Sequence, residues 1–165
     1  MKKALISIHP GWVQKILNGN KTIEVRSWRP KEEDLPCKVY IYVTKGKSYL
    51  TQQSKTQFTI RETKDFTNLV NGKVVASFIL NKVESFNPKL GHPKIYISAC
   101  VSDTELVKIY PNKKHLYAWK IDDLVIFDKP KELGEFVRAN PCKSKHLPRL
   151  LPLTKAPQKM VWVDD

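Results

Sequence analysis

Apolar residues in this chain arrive in short runs, and most of the runs alternate with polar ones. In Lys38–Thr44, Val39, Ile41 and Val43 fall on one side and Tyr40, Tyr42 and Thr44 on the other. A period of two is the mark of a strand with two different faces. Thr22–Trp28 reads the same way, and Ala4–Ile8, Leu116–Ile121, Leu124–Phe127 and Val161–Val163 read as further short strands. Val74–Leu80 is nearly all apolar, which predicts a buried strand, read here as continuing to Phe86. No strand–helix–strand rhythm runs through the sequence, so a doubly wound parallel sheet is not expected. The pattern predicts an α+β, mainly β chain: a small, partly open β-barrel with peripheral short helices.

Two helices interrupt the strands. Pro10 suits a first helical position, where a missing N–H costs nothing. Trp12, Val13, Ile16 and Leu17 then recur at helical spacing, and Gly19 can take the positive φ that ends a helix. By that stripe Trp12 is expected in the core, as are Trp119 and Trp162. Ser102–Tyr110 predicts a second short helix, capped by Ser102 or Asp103. Residues 48–71 scatter their apolar positions among Ser, Thr and Gln and read as a loop or irregular insertion. The chain is read as a single domain over 1–165, with that insertion and a basic, proline-rich segment at 138–159.

Charge narrows the function. Across 165 residues the formal net charge is +13, with 29 Lys and Arg against 16 Asp and Glu. Such a field draws polyanions, of which nucleic acid is the commonest in a cytoplasm. A lysine-rich surface that serves solubility is the plainer alternative. No apolar run approaches the roughly 20 residues of a spanning helix, so no membrane partner is expected. Cys37, Cys100 and Cys142 are widely spaced, with no C-x-x-C pair. They fit a reduced, cytoplasmic setting better than a disulfide framework. The four histidines show no ligand spacing, and neither metal nor cofactor is expected.

The richest chemistry sits where the first helix meets the strand after it. Thr22, Glu24, Arg26 and Trp28 alternate onto one face of Thr22–Trp28. Glu24 can accept from an exocyclic amine of a base. Arg26 can fork to a phosphate or a base edge, and Trp28 can stack on a base. Strict alternation puts Lys21 with Ile23 on the core face, but the Gly19-Asn20 turn can re-aim it. A partly buried lysine there could serve as base or nucleophile. The competing reading is a structural Glu24–Arg26 ion pair. Lys45 and Lys47 tip the turn after Thr44, and suit a phosphate backbone or plain solvent. Segment 138–159 carries Arg138, Lys143, Lys145, Arg149, Lys155 and Lys159 with no acidic residue. It reads as a basic path for a nucleic-acid backbone or as a connector to the last strand.

The run Asn18-Gly19-Asn20-Lys21-Thr22-Ile23-Glu24-Val25-Arg26 resembles the G-x-K-x-x-E-x-R motif of the ASCH domain, of the PUA-like β-barrel superfamily. Leu5–Pro10, Gly72–Ala76, Tyr117–Trp119 and Ala156–Gln158 are similar to further parts of that family, of the bacterial and phage type. The resemblance implies a PUA-like barrel with a cleft at the motif. It also implies binding of RNA or single-stranded nucleic acid, or of a modified nucleoside. Lys21, Thr22, Glu24, Arg26, Trp28, Lys45, Lys47 and Arg149 are the expected binding residues. Some small members are amidohydrolases acting on N4-acetylcytidine, with a catalytic lysine matching Lys21. Their catalytic threonine falls at Glu24 here, so Lys21 and Glu24 would be the catalytic pair if this chain is an enzyme. A metal-free ribonuclease is a related alternative, and a protein-interaction module a third.

Overall fold

A computed structural model of the chain describes residues 1–139 and 151–165. Arg149, with Lys143 and Lys145, lies outside the described residues. In chain order the elements are β1 (Lys2–Ile8), α1 (Pro10–Leu17), β2 (Ile23–Arg26), β3 (Cys37–Val43), β4 (Tyr49–Ser54), β5 (Gln57–Arg61), β6 (Lys73–Leu80), β7 (Val83–Phe86), α2 (Pro93–Ala99), α3 (Asp103–Ile109), β8 (Leu116–Lys120), β9 (Asp122–Glu132), β10 (Val137–Arg138) and β11 (Met160–Asp164).

The strands make a main sheet of order β10-β11-β1-β3-β6-β9, a smaller sheet β2-β8-β7, and the hairpin β4-β5. Among the described residues only the β1–β3 pair is parallel. The fold is mainly β with short helices, as the alternation predicts, but the expected barrel is not closed. Among the described residues the edges β10 and β9 do not meet. Strands as short as β7 and β2 instead split off into a sheet of their own. β6 does not run on to Phe86 either: the chain breaks at Asn81-Lys82, and β7 pairs with β8 in the smaller sheet.

Each face of the main sheet is covered by different material. The inner face buries Ile6, Val39, Ile41, Val75 and Phe78 against α1, the hairpin and Trp119. The outer face buries Leu5, Tyr40, Tyr42, Val161 and Val163 around Phe136. The smaller sheet packs Val25, Phe86, Leu116 and Ala118 against Ile95 and Ala99 of α2 and Leu106 of α3. α3 opens with a reciprocal capping box between Ser102 and Glu105.

Residues 48–71, expected as a loop, hold an ordered hairpin whose Leu50 and Phe58 are buried in the main core. Gln14 Nε2 of α1 donates to Phe58 O at 3.0 Å. The Asn71 side chain pins the approach: it accepts from Leu50 N and donates to Thr44 O and Ser48 O. No described helix is long and apolar enough to cross a membrane.

If the hairpin belongs to the core, Leu50→Ala should cost ~2–5 kcal/mol, as for other buried leucines. Urea unfolding followed by circular dichroism measures it. A loss within ~0.5 kcal/mol, the range of ordinary surface changes, would return residues 48–71 to the status of an appendage.

Candidate functional site

Three elements converge on the motif. α1 stops at Gly19, whose φ of +80° is easy for glycine and strained for other residues. The turn delivers Lys21 beneath the helix, where its backbone N–H bonds Lys15 O at 2.9 Å. β2 then pairs with β8, placing Glu24 opposite Trp119 and Arg26 opposite Tyr117. α2 closes the site from behind, its Ser98 O accepting from Thr22 N at 2.8 Å.

Lys21 is 4% exposed. Its Nζ donates to Ile23 O at 2.8 Å and Ala99 O at 2.9 Å, and lies 3.3 Å from Glu24 Oε2. Those are three acceptors, the full complement of an ammonium. The same Nζ sits 5.1 Å from the centre of the Trp12 ring, within cation–π range. Burial lowers the Lys21 pKa below the usual lysine value, and the Glu24 carboxylate opposes that shift.

Glu24 is shared. Its Oε1 lies 2.9 Å from Arg26 Nε. The Nε hydrogen is not aimed at that oxygen, and Nε is buried with no hydrogen-bond partner among the described residues. Arg26 Nη2 donates to Ser7 O at 2.8 Å, so this side chain ties the smaller sheet to β1 of the main one. Two buried cations thus face one carboxylate, and one guanidinium donor is left over.

These groups open onto a cleft of about 170 Å³. Lys21, Glu24 and Arg26 line it, with Trp12, His9 and Tyr110. A cavity of ~150 Å³ takes a benzene ring, so this one takes a single aromatic ring but not a whole nucleoside. Burial raises the Tyr110 pKa, and its hydroxyl contacts Val25 O at 3.4 Å, leaving a phenol at the wall. His9 caps α1, its Nδ1 accepting from Gly11 N at 3.4 Å.

The other expected residues lie elsewhere. Trp28 packs edge-on against Trp119, ring centres 4.9 Å apart, and does not line the cleft. Thr22, just before β2, is exposed and does not line the cleft. Lys45 lines a separate hollow, and Lys47 is exposed on its turn. Trp12, expected in the core, instead forms a cleft wall, because the apolar stripe of α1 ends where the two sheets part. Tyr110 and Ala99 were not legible as site residues. Pro93, Ile95 and Ala99 do carry a weak helix signal for α2. Among the described residues no three His, Cys, Asp or Glu side chains gather to hold a metal.

The lowered Lys21 pKa has a measurable sign. Below the ordinary value of 10.5, the unfolded chain holds that proton more tightly than the folded one. Keeping Lys21 charged therefore costs stability at neutral pH, and the cost fades as pH rises to 10.5. Lys21→Met removes this dependence. The stability of the native protein relative to Lys21→Met should rise between neutral pH and 10.5, measured by paired urea titrations. A flat or falling difference would mean that burial does not govern this amine.

A comparison with curated proteins gives no match. Among solved structures, ASCH from Zymomonas mobilis superposes with a TM-score of 0.65 at 19% identity, covering 99% of this chain and 88% of that one. A mutant form of the Zymomonas mobilis protein gives 0.63 at 18%, covering 99% and 91%. At this identity the likeness establishes a shared fold. The family's own sequence profile, that of the ASCH domain, matches residues 6–131. The match runs from the end of β1 through most of β9, with the whole cleft inside it, and the chain belongs to the ASCH domain family.

Proposed function

We propose that the chain binds single-stranded RNA and seats one nucleobase in the cleft. The observation that carries this is the Glu24 carboxylate and the Arg26 guanidinium set side by side, 2.9 Å apart, on the wall of a cleft sized for one ring. The edge of a base offers what that pair lacks. An exocyclic amine donates to Glu24, which keeps lone pairs beyond those facing Lys21 and Arg26. A ring nitrogen or carbonyl accepts from Arg26. Trp12 supplies a π-face at the mouth, and base–aromatic stacking is worth ~1–3 kcal/mol. A net charge of +13 adds attraction for the phosphate backbone.

The test is titration of a labelled single-stranded RNA across a salt series. For single strands, log K should fall with log[salt] by ~0.7 per phosphate engaged. Arg26→Ala should weaken binding about tenfold or more, as loss of a bidentate base contact does. Arg26→Lys, which keeps the charge and loses the fork, should recover only part of it. Absence of binding at low salt, or full affinity in Arg26→Ala, would refute the reading.

A second reading is hydrolysis of an acylated nucleobase such as N4-acetylcytidine, with Lys21 and Glu24 as the reacting pair. The lowered Lys21 pKa favours it. The three acceptors around Nζ oppose it, because an amine must free its lone pair from that cage to attack a carbonyl. Incubation with N4-acetylcytidine, followed chromatographically, is expected to yield no cytidine. Release of cytidine that Lys21→Met abolishes would establish the enzyme instead.

A further inference from the structure

A second depression lies just across β1 from the cleft. It holds about 520 Å³, and Thr44, Lys45, Gly72, Glu132, Thr154 and Lys155 are among its lining residues. Glu132 is already answered by Lys73 Nζ at 3.1 Å, so the two lysines face the hollow as the uncompensated charges.

The Lys45 side chain lies across Gly72, where a Cβ would come within 2.8 Å of Lys45 Cε. Gly72 has a φ of +84° and bonds Val43 O through its N–H at 2.8 Å. Asn71, next to it, fixes both ends of the Thr44–Ser48 turn.

Residues that line the two depressions are neighbours in register at the carboxyl ends of β1 and β3. Ser7 of β1 lines the cleft, Tyr42 of β3 lines the hollow, and the two are direct partners in the parallel pair. Neighbouring strands are ~4.8 Å apart. Ser7 Oγ also donates to Pro157 O at 2.8 Å, and two residues back along the chain stands Lys155. Two residues of extended chain span at most ~7 Å.

We infer that the hollow is a phosphate subsite on the same path, so that the cleft accepts a base within a strand in preference to a free nucleoside. The inference rests on the RNA-binding reading and names its ligand class: an oligonucleotide crossing the carboxyl ends of β1 and β3. The base enters the cleft, and a neighbouring phosphate ester accepts from Lys45, Lys155 and the Thr44 and Thr154 hydroxyls.

The experiment compares four proteins against a short single-stranded RNA by titration calorimetry across a salt series. They are the native chain, Lys45→Ala/Lys155→Ala, Lys82→Ala/Lys89→Ala as a control of equal charge, and Arg26→Ala. The Lys45/Lys155 variant should lose about tenfold in affinity, and its salt slope should flatten by ~0.7, the value for one phosphate contact on a single strand. The Lys82/Lys89 control should keep the native slope. An unchanged slope in the Lys45/Lys155 variant, with Arg26→Ala still weakened, overturns the subsite and leaves the cleft standing. No binding by the native chain overturns both. Inorganic phosphate titrated alone should compete no better than its ionic strength predicts. Specific competition by it would make the hollow a free-anion site and overturn the assignment to a strand.

Discussion

The arrangement turns on how two cations and one carboxylate share a buried space. Removing charges from water is costly, and a buried pair stripped of one partner loses ~3–5 kcal/mol against a domain total of ~5–15. Here the surplus cation is carried by carbonyls. Lys21 takes Ile23 O and Ala99 O as well as Glu24, and Arg26 takes Ser7 O. Those bonds reach α2, β1 and β2, so the solution to an electrostatic problem also fixes how the smaller sheet stands against the main one. Arg26 Nε stays buried beside Glu24 Oε1, with no hydrogen-bond partner among the described residues.

Size and charge divide the work. A cleft of about 170 Å³ is below the ~300–1,000 Å³ of most ligand sites, so it can orient one ring but supplies limited contact area. The field of the surface lysines supplies attraction without reading sequence. Phosphate contacts position a strand and base contacts select it. A small polar cleft within a strongly basic surface suits that division, whereas a site for a free small molecule would need more enclosure.

Much of the motif was legible because its signals were local. Pro10, the Trp12–Leu17 spacing and Gly19 define α1 without help from the rest of the chain, and alternation alone puts Glu24 and Arg26 on one face. What depended on distant partners was not legible. Lys21 is buried because Ala99 O, 78 residues away, waits for it. The β4–β5 hairpin escaped because its connection, Lys55-Thr56, carries none of the Gly, Asn or Pro that usually announce a turn. Trp28 alternates correctly with Arg26 yet stacks on Trp119, since alternation gives a face and says nothing of what covers it. How far the partly open barrel stays open was not legible for the same reason: strand count does not reveal which edges meet.

β1 has a further consequence for how the molecule comes into being. It lies between β3, complete at Val43, and β11, which starts at Met160. During translation at ~5–20 residues per second, roughly 6–25 s separate the synthesis of those two neighbours. For that interval the Ala4–Ile6 edge, which in the finished sheet faces Met160–Trp162, has no strand to pair with. The nascent chain therefore carries an open, apolar sheet edge until β11 emerges to seal β1.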